Sequence, residues 1–257
     1  MNLPIVVLQA RTGSSRLPFK MLRPFYEEKS ILEILLTRMK SAIPEPERNI
    51  VVATTVDAGD DAIVELCDRL GVKSFRGSRN DVLSRFIGVA GQERREKLIR
   101  VCADNVFLDM RALRMLYDAL IATDADYLSF MKSDGTPSIR THYGFWAEGV
   151  TSEALKRVAA STDEAVYHEH VTNFIYGHPD LFRCSFMPVE DSVEGVENHP
   201  YLRLTVDTLD DFEVQRAIYS DFMSGRVAIT PANLIAYLDE RPALYEVMRK
   251  NIEINSK

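Results

Sequence analysis

Cysteines are scarce in this sequence, and no two of them lie at a spacing typical of a metal or redox site. The 257 residues include three, Cys67, Cys102 and Cys184, and no C-x-x-C motif occurs. Three scattered cysteines do not form a disulfide framework, so we expect a reducing, cytoplasmic environment. A chain of this length needs no such cross-link, because it can bury most of the surface that the unfolded chain exposes.

Long apolar runs are missing too. No window reaches the roughly 18 apolar residues of a transmembrane helix, and no basic segment precedes the short apolar run at residues 5–8. We therefore expect neither a membrane span nor a signal peptide. Hydrophobic residues at 46% and charged residues at 27% are typical of an ordinary globular protein.

An excess of positive charge is also lacking. Lys and Arg number 31 against 38 Asp and Glu, a net charge of −7. Broad binding to a nucleic-acid backbone needs a basic surface, so the composition argues against a nucleic-acid partner. Two common phosphate-binding motifs, G-x-x-x-x-G-K-[ST] and G-x-G-x-x-G after a strand, do not occur. Their absence disfavours a P-loop ATPase and a Rossmann dehydrogenase.

Strand and helix patterns alternate along the first half of the chain. Short apolar, β-branched runs predict strands at 5–9, 49–55, 72–75, 98–102 and 126–130. Apolar residues at helical spacing predict helices over 31–43, 60–70, 81–89 and 108–122. Strands that alternate with helices form βαβ crossovers, so we expect an α/β fold with a mostly parallel sheet.

The second half is less regular. Between residues 132 and 200 the periodicity weakens, and we interpret 132–200 as a lobe inserted into a single domain of residues 1–257. The run YLRLTV at 201–206 predicts a strand that returns to the sheet, and Thr208 is placed to cap the helix that follows. Residues 231–257 are expected to be helical.

The clearest chemical signal is a basic loop after the first predicted strand. Residues 1–26 contain no Asp or Glu, although the average acid content predicts about four in such a window. Their basic residues are Arg11, Arg16, Lys20 and Arg23. Arg presents paired donors and Lys a mobile point charge, so such a loop can wrap a polyphosphate, with hydroxyl donors from Ser14 and Ser15. The alternative is a solvated basic loop without a ligand.

Two aspartates follow predicted strands at the same edge of the sheet as this loop. Asp104 comes two residues after the strand at 98–102, and Asp207 directly follows the strand at 201–206. One or two carboxylates plus substrate phosphates are the usual ligands of Mg²⁺, so the pair predicts a magnesium site. The alternative for Asp207 is a structural role at the N-terminus of the next helix, where acids are favoured.

The five histidines carry a weaker signal. His168 and His170 lie two residues apart, which points them to different faces of a helix and argues against a metal pair. His142, His178 and His199 each stand alone, and a lone histidine is more often a satisfied polar residue than a ligand. No Ser/His/Asp arrangement with a nucleophile elbow is present.

The loop sequence ARTGSSRLPFK at 10–20 resembles a family signature. It is similar to the N-terminal motif A-R-x-x-S-[ST]-R-L-P-x-K of the cytidylyltransferases that activate acidic sugars, the acylneuraminate and 3-deoxy-manno-octulosonate types. The spore-coat polysaccharide biosynthesis branch of that superfamily is closer still. Segments that resemble this branch, in the same order, are 51–63, 75–86, 100–109, 169–176 and 203–219.

The resemblance implies both a fold and an activity. The fold would be the Rossmann-like three-layer nucleotide-diphospho-sugar transferase fold. The activity would be magnesium-dependent nucleotidyl transfer from CTP to a small sugar or sugar phosphate, with release of pyrophosphate, for surface polysaccharide or glycan biosynthesis. The expected cofactor is Mg²⁺, and the lobe at 132–200 would shape the sugar site or form a homodimer face.

The resemblance also assigns roles to residues by position in the motifs. Arg11, Arg16 and Lys20 match the residues that hold the nucleoside triphosphate and stabilise pyrophosphate, while Asp104 and Asp207 match the metal-binding aspartates. The expected substrate-binding residues are Ala10, Ser14, Ala53, Thr54, Gly77, Ser78, Glu169 and His170. Of these, Ala53, Thr54, Gly77 and Ser78 would bound the pyrimidine pocket, and Glu169 and His170 would lie near the sugar.

Two departures from the family pattern leave other functions open. Phe19 replaces the usual glycine before the loop lysine, and Cys102-Ala103-Asp104 replaces Thr-Gly-Asp. These changes would suit a catalytically weak relative that binds a nucleotide. A further alternative is a glycosyltransferase of related fold that uses a nucleotide sugar. Such enzymes usually hold their metal on a D-x-D motif, and Asp124-Ala125-Asp126 has that spacing.

Overall fold

The computed structural model describes residues 3–255. The strands are β1 (Ile5–Gln9), β2 (Pro24–Tyr26), β3 (Lys29–Ser30), β4 (Ile50–Thr55), β5 (Lys73–Gly77), β6 (Lys97–Cys102), β7 (Tyr127–Met131), β8 (Glu148–Thr151) and β9 (Cys184–Pro188). The first helices are α1 (Ile31–Ala42), α2 (Pro46–Asn49), α3 (Asp61–Leu70), α4 (Val82–Gln92) and α5 (Met110–Ala122). They are followed by α6 (Ser152–Ser161), α7 (Ala165–His170), α8 (Asn173–Gly177), α9 (Leu209–Ser224), α10 (Pro231–Asp239) and α11 (Pro242–Asn255).

Within the described range, the strands other than β2 and β3 form one seven-stranded sheet in the order β5-β4-β1-β6-β8-β7-β9. Neighbours among β5, β4, β1 and β6 pair in parallel, as do β7 and β9, while β8 is antiparallel to both β6 and β7. The sheet is therefore mostly parallel, which confirms the predicted α/β class.

Both faces of the sheet are covered by helices, as the apolar run at residues 5–8 of β1 predicts. Val6 and Leu8 pack on one face with α1, α5 and α9, and Ile5 and Val7 pack on the other with α4 and α6. All four side chains are fully buried. Successive strand residues point to opposite faces, so a strand buried on both sides needs an apolar residue at every position.

The predicted helix starts at residues 31 and 209 are confirmed by their caps. The Ser30 side chain accepts a hydrogen bond from the Glu33 amide at the start of α1. Thr208 and Asp211 form a capping box at the start of α9. Such caps satisfy backbone N–H groups that have no partner inside the helix.

The span 132–200, which the sequence predicts to be an inserted lobe, contributes two strands to the central sheet. It supplies β8, which lies between β6 and β7, and β9, which forms an edge of the sheet. The sequence of β8 hides this role, because the strand has only four residues and begins with the buried carboxylate of Glu148. Residues between these strands line the cleft described below.

The predicted strand at 201–206 is wrong. This segment forms no strand, although most of its side chains are buried. The Leu204 amide donates to the His142 carbonyl and the Val206 amide to the Asp104 carbonyl. Because its partners belong to irregular segments, no regular ladder can form. The helical prediction for 231–257 is confirmed by α10 and α11, and residues 256–257 lie outside the described residues.

Between residues 3 and 255, no helix combines the length and the apolar character needed to cross a bilayer.

Candidate active site

A cleft of about 550 Å³ opens at the carboxyl ends of β1 and β6. Its lining includes Gln9 and Cys102, the last residues of these strands, and residues of the loops that follow them. Ligands of open α/β sheets bind at this position, outside the carboxyl ends of the strands. The predicted basic loop and Asp104 both follow these strand ends.

The basic loop is anchored by a buried carboxylate, Asp60. One oxygen of Asp60 accepts from the Thr12 amide and the Thr12 hydroxyl, both at 2.7 Å. The other accepts from the Thr54 hydroxyl at 2.8 Å and from the amide and hydroxyl of Thr55 at 3.0 and 2.6 Å. Burial raises the pKa of Asp60, but these hydrogen bonds outweigh that effect, so its pKa lies below the ordinary value.

Sequence reasoning missed this role of Asp60. The residue lies at the N-terminus of the predicted helix, where an acid is expected to cap helix amides. Its side chain makes no cap hydrogen bond and turns towards the loop instead. The available signal was local, since Thr54 and Thr55 precede this carboxylate by six and five residues, respectively.

The loop closes on the Thr12 carbonyl, which accepts from the Ser14 and Phe19 amides at 2.9 Å each. Phe19 has a φ of 58°, a left-handed conformation that favours glycine. The family whose signature the loop resembles usually has glycine at this position. Phe19 therefore adopts the backbone conformation that glycine would adopt there, at a cost in backbone strain. The next residue, Lys20, lines the cleft.

The basic side chains of the loop meet carboxylates from three distant segments. Lys20 Nζ lies 3.3 Å from Asp104 Oδ2 and 3.9 Å from Asp207 Oδ1. Arg16 contacts Asp207 Oδ1 at 2.6 Å. Arg11 contacts Glu169 Oε1 at 3.2 Å. The cleft is therefore a charged site, assembled from residues up to 191 positions apart.

Asp207 does not serve as the cap of α9. Thr208 holds that position, and the Asp207 carboxylate faces Arg16, Lys20 and Arg203. Arg203 is fully buried and donates to Asp207 Oδ2 at 3.0 Å. It also makes a bidentate contact with Asp211, with both distances at 2.8 Å. Arg203, another residue that sequence reasoning missed, thus fixes the direction of the Asp207 side chain.

The donor set of the cleft fits a small, hard cation. Asp104 and Asp207 supply carboxylate oxygens around one ammonium, that of Lys20. Among the residues that the structure describes, no group of three or more His, Cys, Asp or Glu side chains could hold a metal ion. Mg²⁺ suits two carboxylates, because it usually completes its coordination with waters and substrate phosphates.

The sequence of this chain matches one protein family, described as Cytidylyltransferase, over residues 5–244. The chain is a member of the cytidylyltransferase family. It is therefore a nucleotidyltransferase.

Two relatives share about a third of its sequence. An uncharacterized protein of Methanocaldococcus jannaschii is 34% identical over 253 residues, which cover 98% of this chain and 94% of the relative. The spore coat polysaccharide biosynthesis protein SpsF of Bacillus subtilis is 33% identical over 247 residues, covering 94% and 96%.

Solved structures agree with the family. A cytidylyltransferase from Leptospira borgpetersenii superposes with a TM-score of 0.80 at 25% identity, over 95% of this chain and 97% of the other. CMP:2-keto-3-deoxy-manno-octonic acid synthetase in complex with CTP superposes with a TM-score of 0.59 at 13% identity, over 85% and 99%. At 13% identity, the superposition on this synthetase shows that the two proteins share the nucleotidyltransferase fold.

In this cytidylyltransferase, eight of the predicted site residues line the cleft. They are Arg11, Ser14, Arg16, Lys20, Asp104, Glu169, His170 and Asp207. Glu169 and His170 reach it from the C-terminal end of α7.

Five predicted substrate-binding residues lie outside the cleft lining. Ala10 donates its amide to the Ala53 carbonyl at 3.2 Å, so these groups join the loop to the sheet. The Thr54 hydroxyl donates its hydrogen bond to Asp60. Gly77 ends β5, where its carbonyl accepts from the Val56 amide, and Ser78 is exposed beyond it.

The floor of the cleft contains a buried ion pair. Arg100 donates to Glu148 at 2.5 Å, and the Tyr127 and Thr172 hydroxyls donate to the other Glu148 oxygen at 2.5 and 2.9 Å. Burial raises the pKa of the neighbouring Cys102 thiol to about 11. Cys102 is therefore protonated at neutral pH and is a poor nucleophile.

The D-x-D spacing at 124–126 does not contribute to the cleft of the cytidylyltransferase. Asp126 precedes β7, which runs parallel to β6, so it lies at the opposite edge of the sheet. It is buried and paired with Arg157 at 3.3 Å and Arg183 at 3.6 Å. These contacts make it a structural residue and remove the basis for the glycosyltransferase alternative.

Proposed function

We propose that this protein transfers a cytidylyl group from CTP to a sugar or sugar phosphate and releases pyrophosphate. The observation that carries the proposal is the meeting of Arg16 and Lys20 with Asp104 and Asp207 in one cleft. Membership of the cytidylyltransferase family and the likeness to a synthetase in complex with CTP support the nucleotide. The likeness to SpsF supports a role in surface polysaccharide biosynthesis. The free cysteines suit a cytoplasmic location.

Arg11, Arg16 and Lys20 would bind the phosphates of CTP. Nucleotidyl transfer requires alignment of the attacking oxygen with the α-phosphorus and neutralisation of the charge that develops on pyrophosphate. Arginine forks and a lysine ammonium supply that charge at fixed positions. Ser14 and Ala10 would add loop contacts, and the segments at Ala53, Thr54, Gly77 and Ser78 would border the base.

Asp104 and Asp207 would hold Mg²⁺ against the phosphates. A bound Mg²⁺ supplies positive charge that bridges phosphate oxygens and lowers the barrier for pyrophosphate departure. The Lys20 ammonium lies 3.3 Å from Asp104 and 3.9 Å from Asp207. With Mg²⁺ and substrate bound, the Lys20 side chain would turn to the phosphates, because the metal would then supply the positive charge beside these carboxylates.

The sugar would bind on the other side of the cleft. Glu169 and His170 on α7, together with Arg140, border that side. Residues 132–200 would therefore shape acceptor selectivity, and their edge strand β9 would supply the homodimer face.

A pyrophosphate-release assay tests the proposal. Purified protein is incubated with Mg²⁺, each of the four nucleoside triphosphates and a panel of free sugars and sugar phosphates, including 2-keto-3-deoxy-manno-octonic acid. We expect release with CTP and one sugar class, and a loss of at least about 100-fold in Asp104→Ala and Asp207→Ala. Unchanged release in both variants would refute the metal assignment.

A thermal-shift series supplies an independent test of the nucleotide. A ligand that binds only the folded state raises its melting temperature. We expect CTP with Mg²⁺ to raise it more than UTP, GTP or ATP do. Equal shifts with all four would contradict the CTP assignment.

A further inference from the structure

The sugar side of the cleft is built by two irregular segments that lie side by side. The Leu204 amide donates to the His142 carbonyl at 2.8 Å. Gly144 has a φ of 71°, and a Cβ atom there would lie 2.6 Å from the Leu204 carbonyl oxygen. Only glycine permits this approach, which brings the His142 side chain beside Arg203.

Arg203 determines which ring nitrogen of His142 carries the proton. Arg203 Nη1 lies 2.8 Å from His142 Nδ1. A guanidinium has donors and no acceptor, so Nδ1 must accept this hydrogen bond with its lone pair. Burial lowers the pKa of His142, and the charge of Arg203 lowers it further. The ring is therefore neutral at neutral pH, with its proton on Nε2.

The two segments also contribute to the lining of the cleft. His142 lines the cleft together with Thr205, which follows Arg203 by two residues. The Thr205 hydroxyl is buried and has no hydrogen-bond partner among residues 3–255. Buried polar groups are rarely left unsatisfied, so an unpartnered hydroxyl on a residue that lines the same cleft as His142 indicates a ligand that bears oxygen atoms.

We infer that His142 binds the acceptor sugar by donating a hydrogen bond from Nε2–H to one of its oxygens, with the Thr205 hydroxyl binding the same ligand. Arg203 is a positioning residue that sets the tautomer of His142. This inference rests on the proposed function, because it assigns residues to the acceptor half of the same cleft.

The same contact excludes His142 as the base that deprotonates the sugar hydroxyl. A histidine accepts a proton at Nε2 only if Nε2 has a free lone pair, which in the neutral ring requires a proton on Nδ1. Such a proton would face the N–H of Arg203 at 2.8 Å. The histidine is therefore a donor, and Arg203 links it to Asp207, which it holds at the same time.

The first test measures the tautomer and needs no substrate. The full-length protein is labelled with ¹⁵N-histidine, and the His142 signals are assigned by their absence in His142→Gln. We expect nitrogen shifts of the Nε2–H tautomer, and a mixture of tautomers in Arg203→Met. An Nδ1–H tautomer in the wild type would overturn the inference. Should Arg203→Met fail to fold, the wild-type spectrum alone decides.

The second test measures the KM for the acceptor in the pyrophosphate-release assay, with 2-keto-3-deoxy-manno-octonic acid as the first probe. His142→Phe keeps the ring volume without a donor, and we expect its acceptor KM to rise about tenfold, the effect of one lost hydrogen bond. His142→Gln places an amide N–H near the Nε2 position and should restore most of the loss. The KM for CTP should stay unchanged in both variants.

Two results would overturn the inference: an unchanged acceptor KM in His142→Phe, or equal losses in His142→Phe and His142→Gln. Thr205→Val, which removes the hydroxyl and keeps the shape, should raise the acceptor KM by a similar factor. A wild type that releases no pyrophosphate with any sugar of the panel would instead refute the proposed function. The tautomer measurement would then still decide which ring nitrogen of His142 carries the proton.

Discussion

The two walls of the cleft are organised by buried charges of opposite sign. The loop wall, residues 10–20, is anchored by the Asp60 carboxylate and presents charged side chains to the cleft. The wall that we propose binds the acceptor, the acceptor wall, consists of residues 141–146 together with 201–205; it is anchored by the Arg203 guanidinium and contributes the neutral side chains of His142 and Thr205 to the cleft lining. A triphosphate and a sugar need this division, since one is recognised by charge and the other by directed hydrogen bonds.

The largest effect should come from the charge of the loop wall. In Lys20→Ala the phosphates lose a cation, and Asp104 and Asp207 lose the ammonium that lies between them. We expect kcat/KM in the pyrophosphate-release assay to fall at least about 100-fold. Arg23→Ala is the matched control, because Arg23 is exposed and belongs to the same basic segment outside the cleft lining. Equal losses in the two variants would show that the loop acts by general charge.

The second effect concerns the anchor of the loop wall. In Asp60→Asn one carboxylate oxygen becomes an NH₂ group that must face a backbone amide, of either Thr12 or Thr55. We expect the free energy of unfolding to fall by about 3 kcal/mol, measured by urea denaturation. Asp61→Asn should change it by no more than about 0.5 kcal/mol, because Asp61 makes an exposed pair with Arg76.

The pKa of Asp60 adds a dependence on pH to this comparison. Its folded value lies below the ordinary 3.8, so the carboxylate contributes its full stability above about pH 4. That contribution is lost as the pH falls through the folded pKa. Between pH 7 and pH 3 the wild type should therefore lose more stability than Asp60→Asn does. Parallel losses would mean that other acids cause the acid sensitivity.

A third effect tests the acceptor wall. Gly144→Ala should lower the free energy of unfolding by about 2 to 3 kcal/mol, because its Cβ would meet the Leu204 carbonyl at 2.6 Å. Gly135→Ala is the control: Gly135 also has a positive φ, of 83°, but its Cβ would meet nothing within 4 Å. We expect about 1 kcal/mol there, from the backbone conformation alone. Equal losses would mean that the close contact is relieved easily.

The smallest effect concerns the strain in the loop wall. Phe19 is 52% exposed and has a φ of 58°, so its replacement by glycine removes strain and little burial. We expect Phe19→Gly to be about 1 kcal/mol more stable than Phe19→Ala, which keeps a Cβ in the left-handed conformation. Urea denaturation of the two variants measures this difference. A more stable alanine variant would show that the loop relaxes to another path.

The two walls also differ in how far the sequence predicts them. The loop wall is local: its basic residues lie within ten positions, and the absence of acids from the first 26 residues makes them visible. The strands and helices of the first half are equally visible, because each is a run of one periodicity. The position of Asp104 at the edge of the sheet is also predictable, because this residue comes two positions after the strand predicted at 98–102.

The acceptor wall depends on contacts that no local pattern contains. Arg203 lies in a segment whose alternation is typical of a strand, yet its partners are His142, Asp207 and Asp211. Strand β8 was missed because Glu148 is buried by pairing with Arg100, which is 48 positions away. Long-range polar pairs can reverse the burial expected for a charged residue, so such positions escape periodicity arguments.

The four ion pairs between the basic loop and the distant carboxylates have a consequence for selectivity among small anions. Arg11, Arg16 and Lys20 already have carboxylate partners, so a simple anion such as sulfate would have to displace Glu169, Asp104 or Asp207 and then remain beside them. An anion with a bound divalent cation would offer a negative partner to the basic side chains and a positive partner to the carboxylates at the same time. In the proposed function, the cleft would thereby favour a metal-chelated polyphosphate over bare oxyanions in solution.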